Sequence, residues 1–197
     1  MRRRTLLRSA AATATIGGVG FADASRSRGG QETTTEAQPA EQFSIATPAW
    51  ENGGAIPTEH TCDGENASPA LEIGTPPEGT RSLALVMEDP DAPDPPFVHW
   101  LLWDVPADVS EIPAGIPAGE TVEELDGAVQ GANDTGDLSY VGPCPPEGDP
   151  QHTYLFELYA LEEPLGLDPG ATHDEVLAAV FPRALARARY VGQYERA

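Results

Sequence analysis

Apolar residues along this chain gather into short runs separated by clusters of Pro, Gly and Asp, which is the rhythm of strands and turns rather than of helices. The runs are Phe43-Ser44-Ile45, then residues 82–87, 98–105 and 153–161. The last alternates only in part, as a strand does at the centre of a sheet or where both faces are covered. A shorter stretch from Gly127 reads as a strand entering a turn at Gly131-Ala132-Asn133-Asp134. One helical period stands out. Val176, Leu177, Val180, Leu185 and Ala188 recur at roughly helical spacing behind Thr172, an N-cap with Glu175 three residues on. It predicts a helix over 173–188 that Pro182 must kink or split. The pattern as a whole is mostly β, with long ordered loops and a helix near the C-terminus.

The folded pattern begins near Phe43. Residues 25–42 are Ser/Arg/Gly and then Thr/Glu/Gln/Pro, with almost no large apolar side chain, and read as a disordered polar linker. Residues 1–24 have a different character. Arg2-Arg3-Arg4-Thr5-Leu6-Leu7-Arg8 is a twin-arginine export signature, followed by a weakly apolar Ala/Thr/Gly run and by Ala22-Asp23-Ala24, an A-x-A cleavage site ending at Ala24. The apolar run falls well short of the ~20 residues of a membrane span. The expectation is a protein exported by the twin-arginine route, extracellular or at the cell surface, with residues 43–197 as its one domain.

Charge sharpens this picture. Eleven basic residues, none of them lysine, face 32 acidic ones, for a net of −21. Loss of residues 1–24 removes four arginines and Asp23, leaving 7 basic and 31 acidic residues, a net of −24. Such a surface repels nucleic acid and anionic membrane alike. Near-saturated salt, where the Debye length falls to ~3 Å or less, relieves the self-repulsion, so the composition reads as that of a halophile.

Candidate chemistry lies in two proline-stiffened loops. One runs Asp89-Pro90-Asp91-Ala92-Pro93-Asp94-Pro95-Pro96-Phe97-Val98-His99-Trp100; the other runs Tyr140-Val141-Gly142-Pro143-Cys144-Pro145-Pro146 and on to His152-Thr153-Tyr154. Proline fixes φ and restrains the residue before it, so these loops have little entropy to lose on binding. Rigid loops presenting His, Asp and Tyr at strand ends describe a preformed small-ligand pocket. Histidine N–H groups and a tyrosine hydroxyl hold an anion, while aspartates fix imidazole tautomers or accept from a ligand ammonium. His60 and His173 read as bystanders, and Trp100 with Trp103 as core.

These fragments, with Ile56-Pro57, His60-Thr61-Cys62-Asp63-Gly64-Glu65-Asn66-Ala67-Ser68-Pro69 and Tyr159-Ala160-Leu161 in the same order, resemble the phosphatidylethanolamine-binding protein family, also called the Raf kinase inhibitor protein family, in its bacterial and archaeal branch. The resemblance spans about residues 43–196. It implies an antiparallel β-sandwich and a small pocket for phosphate-bearing or similar anions, with Asp89, Asp91, His99, Pro146, His152 and Tyr154 around it. Two departures stand out. The usual His-Arg-Tyr is His152-Thr153-Tyr154, which removes a cation near the site, and the usual Gly-His is replaced within Phe181-Pro182-Arg183.

Cys62 and Cys144 fall in pocket-side loops, and in an exported protein they invite a bridge, with two free thiols as the alternative. The leading functional expectation is a non-enzymatic binding protein for a small anion or phospho-ligand, with no cofactor and with a regulatory role acting through a protein partner. A second is inhibition of a secreted protease through an exposed loop or terminus, as the resemblance implies. A third is hydrolysis, either by a metal on two histidines and an aspartate or by Cys144 with His152 as nucleophile and base.

Overall fold

The structure, a computed structural model, describes residues 42–93 and 96–196. The expected signal segment with its Ala24 cleavage site, the linker up to residue 41, and Asp94-Pro95 of the first loop lie outside the described residues.

Among the described residues ten strands and one α-helix form in the order β1 (Ile45–Ala46), β2 (Gly54–Ala55), β3 (Leu71–Ile73), β4 (Ser82–Asp89), β5 (Phe97–Pro106), β6 (Glu111–Ile112), β7 (Thr121–Val122), β8 (Ala128–Gln130), β9 (His152–Leu161), α1 (His173–Val180) and β10 (Ala184–Tyr194). They build a seven-stranded sheet, ordered β2-β10-β9-β4-β5-β8-β7, and a three-stranded one, β1-β3-β6. All pairings are antiparallel except β2 with β10, so the large sheet is mixed, contrary to the expectation of two antiparallel sheets. Strands of two or three residues leave β1-β3-β6 too small to form a full second layer of a sandwich.

The large sheet is buried on both faces, which accounts for the imperfect alternation of β9. On one face Leu83, Leu85, Met87, Trp100, Leu102, Phe156 and Leu158 share a core with Ile45, Leu71, Ile73 and Ile112 of the small sheet. On the other, Ala84, Val86, Leu101, Trp103 and Tyr159 pack with Val176 and Val180 of α1. Trp100 and Trp103 thus lie in the core, on opposite faces.

Two β-bulges in β5 change the phase of this alternation. Met87 pairs with Trp100 and Glu88 with Val98, leaving His99 as the additional residue; a second shift places Trp103 and Asp104 opposite Ala84. Asp104 adopts φ 57, and its carboxylate accepts the amide hydrogens of Leu165 and Gly166 at 2.7 and 3.1 Å.

The helix starts where the sequence predicts. Glu175 reaches back to the Thr172 N–H at 2.9 Å. It ends at Val180 rather than near 188, because Pro182 has no N–H and its ring would strike a carbonyl of the preceding turn. Residues 184–194 form β10 instead, which pairs with β9 from Leu161 to His152. Ala, Leu and Arg favour helix locally, but an open edge of β9 outweighs that preference.

Candidate functional site

The His99 bulge lies where β5 leaves the first proline loop. Asp134 anchors this end, its carboxylate accepting the Val98 N–H at 2.8 Å while its own N–H donates to the Val98 carbonyl at 3.0 Å. The bulge leaves His99 on the same face as its neighbour Trp100, where its ring meets Phe97 at 4.8 Å and the edge of Tyr154 at 5.2 Å. Tyr154 and His152 come from the start of β9, and Asp89 from the end of β4.

These side chains line a cavity of about 550 Å³, closed by Pro146 and the 141–146 loop on one side and by Cys62 and Asn66 on another. That volume suits a small ligand. A depression of about 650 Å³ between Ser44 and Ser110 is larger but carries no histidine and a single carboxylate, Asp108.

The polar contacts are specific. His152 Nδ1 lies 2.7 Å from Asp89 Oδ2, both side chains almost fully buried. The other Asp89 oxygen accepts the Asp91 N–H at 2.8 Å. His99 Nδ1 donates to the Val141 carbonyl at 2.7 Å, and the Val141 N–H returns a bond to the His99 carbonyl at 3.0 Å. Tyr154 is fully buried, and its hydroxyl lies near the Asp89 carboxylate without the alignment of a regular hydrogen bond. Burial, and then the nearby Asp89 carboxylate, raise the pKa of that hydroxyl far above the usual tyrosine range. Burial also lowers the pKa of His99, against the opposing pull of the Val141 carbonyl and of Asp89 and Asp134.

Five of the six expected pocket residues therefore meet: Asp89, His99, Pro146, His152 and Tyr154. Asp91 does not line the cavity. It is exposed, and its carboxylate accepts the Thr153 N–H at 2.8 Å, pinning the first loop to the start of β9. His60 is buried behind the wall, bonded through Nδ1 to the Ala67 carbonyl at 2.8 Å, and His173 belongs to α1. Sequence reasoning assigned no role to Phe97, Asn66 or Thr135, which also line the cavity. Asn66 had one legible partner signal in Gly142. A Cβ there would come within 2.3 Å of the His60 carbonyl and 2.7 Å of Asn66 Oδ1, so only glycine lets the two loops meet.

Cys62 and Cys144 form a disulfide with a Cα–Cα separation of 5.4 Å. It ties the two wall loops together, beside bonds from the Cys62 N–H to the Pro143 carbonyl at 3.1 Å and from the Tyr140 hydroxyl to the His60 carbonyl at 2.6 Å. A bridged sulfur is no nucleophile, so the expected Cys144–His152 pair is not formed. Among the described residues no three His, Cys, Asp or Glu side chains are grouped to hold a metal ion, and no helix is long and apolar enough to cross a membrane.

A mostly-β fold with a preformed cavity at its strand ends has the architecture of a binding protein. A family model described as phosphatidylethanolamine-binding protein matches residues 46–195. The relatives include a UPF0098 protein of Methanothermobacter thermautotrophicus, 42% identical over 78% of this chain and 99% of that protein. A Mycobacterium tuberculosis protein carrying the name lipoprotein LppC is 38% identical over 83% of this chain and 78% of that one. The crystal structure of Escherichia coli YbcL, described as a member of the mammalian family, matches with a TM-score of 0.74 at 32% identity, over 79% of this chain and 99% of that one. The chain belongs to the phosphatidylethanolamine-binding protein family.

Proposed function

We propose that this protein is an exported binding protein whose cavity takes a small phosphate-bearing ligand or similar anion, acting by binding rather than by catalysis. The observation that carries the reading is the Tyr154 hydroxyl, fully buried at the cavity wall without a regularly aligned hydrogen bond. An orphaned buried hydroxyl costs about 1–3 kcal/mol, a penalty that a ligand oxygen would remove. Asp89 fixes the ring of His152 and Val141 that of His99, so the polar wall is preorganised. Export is supported by the twin-arginine pattern, by a disulfide suited to an oxidising compartment, and by a relative whose name is that of a lipoprotein. Mass spectrometry of the exported protein should find the chain beginning at Ser25.

The direct test is calorimetric titration of the full-length protein with phosphorylethanolamine, wild type beside Tyr154→Phe and His99→Ala. Saturable binding is expected in the wild type, about tenfold weaker in Tyr154→Phe, the equivalent of one hydrogen bond. Truncating His99 should weaken it further. Equal affinity in all three proteins would place the ligand elsewhere.

A further inference from the structure

Several of the donors that ordinarily hold an oxyanion are spent in this cavity. Among the described lining residues there is no Lys or Arg. Pro145 and Pro146 have no N–H. The Gly142 N–H goes to Asn66 Oδ1 at 2.7 Å, and Thr135 spends both its N–H and its hydroxyl on Asn133 Oδ1, at 3.0 and 2.7 Å. The Val141 and Cys62 N–H groups are bonded as well. What remains as side-chain donors is the Tyr154 hydroxyl and the Asn66 amide nitrogen.

His99 faces the ligand as an acceptor. A carbonyl can only accept, so His99 Nδ1, 2.7 Å from the Val141 oxygen, carries that ring's proton. The Asp89 carboxylate makes the same demand on His152 Nδ1. The neutral His99 ring therefore has Nε2 left as a lone pair, and the Asp89 carboxylate, bonded to His152 Nδ1, adds a negative charge nearby. Burial holds His99 in its neutral form more strongly than the surrounding groups oppose it. The opposing groups are the Val141 carbonyl, Asp89 from β4 and Asp134 from the loop after β8; His152 from β9 acts with burial, and the uncharged Tyr154 ring packs edge-on against His99.

We infer that the pocket accepts an oxyanion only together with a proton. It thereby selects acids that still carry one near neutrality, phosphate monoesters and phosphonates, over fully stripped anions such as sulfate esters and chloride. The proton lies between a ligand oxygen and the His99 Nε2. The ligand O–H donates to the lone pair, or the imidazolium N–H donates to the ligand oxygen; one proton is bound either way. A phosphate monoester, whose second ionisation falls at about pH 6, can bring that proton, whereas a sulfate ester cannot. The inference rests on the anion-pocket reading and adds the class of acid.

Full-length protein would be titrated with phosphorylethanolamine and with ethanolamine O-sulfate at pH 5.5, 6.5 and 7.5, each in two buffers of different ionisation heat. For the phosphate ester, proton uptake should rise towards one per site at pH 7.5, with affinity falling about tenfold per pH unit above the ligand's ionisation. The sulfate ester should bind at least tenfold more weakly throughout. In His99→Gln an amide replaces the titrating ring, so the pH slope should flatten and the preference for phosphate shrink. Equal, pH-independent affinity for the two esters in the wild type would overturn the inference and leave the anion pocket standing. Absence of binding by either ester would overturn both.

Discussion

Tyr154 sets binding against stability at a single atom. Its ring packs in the core of the large sheet, while its hydroxyl lies buried beside His99 and Asp89 without a regularly aligned hydrogen bond. Replacing it by Phe removes a desolvated polar group and leaves the packing intact, so Tyr154→Phe should stabilise the unliganded protein by about 1 kcal/mol, raising Tm by about 2–4 °C. A lower Tm in the variant would mean that the hydroxyl is satisfied in solution and would remove the main support for a ligand there. Asp89 behaves in the opposite way. Its carboxylate serves both His152 Nδ1 and the Asp91 N–H, so Asp89→Ala orphans two donors and should cost about 1–3 kcal/mol or more, read from the denaturant midpoint. The legible part of the site was a small-ligand pocket in two proline-stiffened loops with His, Asp and Tyr at strand ends; the family resemblance is what placed Asp89, His99, Pro146, His152 and Tyr154 around it. Asp91 was misplaced because an Asp in a Pro-rich loop reads alike whether it faces a cavity or caps a backbone N–H.

Among the elements, β4, β5 and β9 were legible because each is a long apolar run between turn residues. β10 was not, because Ala184-Leu185-Ala186-Arg187-Ala188-Arg189 carries helix-forming residues and its strand state depends on pairing with β9, a non-local fact. Strand β1 overlaps the expected run at Phe43-Ser44-Ile45, but β2, β6 and β7, of two residues each, are shorter than any periodicity can show. The bulge that aims His99 was equally hidden, since it exists only in the register between β4 and β5. Two elements should also shape the pH profile of stability. At the start of α1, His173 Nε2 lies 3.3 Å from Glu88 Oε2 of β4, an ion pair without the alignment of a hydrogen bond. Glu88 first, then Asp174 and Asp134, raise its pKa against the effect of partial burial. A folded-state pKa above the unfolded value of about 6.5 gives stability that is complete below that pH and lost as pH rises through the folded value. His99 on β5 works the other way. Burial depresses its pKa, so stability is lost as pH falls from about 6.5 through the folded value. Thermal unfolding across pH 5–8.5 should peak near 6.5, with His173→Asn flattening the alkaline limb and His99→Gln the acid limb. An alkaline limb that survives in His173→Asn would show that α1 docks without help from the ion pair.

At the scale of the whole molecule, the net negative charge sets the conditions under which the fold is strongest. A net of −21 on 197 residues, with no lysine, means that surface repulsion opposes compaction wherever it is unscreened. The disulfide offsets part of that expansion. It closes a loop with a sequence separation of 82 residues, which chain-entropy arithmetic values at about 4–5 kcal/mol, so reduction should destabilise the protein substantially, and most at low salt. Salt acts on the repulsion itself. The Debye length shrinks from about 10 Å at 0.1 M to about 3 Å at 1 M, so the repulsive energy is mostly removed across that interval and little remains beyond it. Tm in NaCl should therefore climb steeply from 0.05 to 1 M and then level. Strengthened apolar burial would give a different curve, one that continues to rise above 1 M and steepens when sulfate replaces chloride. A levelling curve that is the same for both anions at equal ionic strength identifies screening, and a Tm unchanged between 0.05 and 1 M would mean that the acidic side chains are spaced widely enough not to strain the fold.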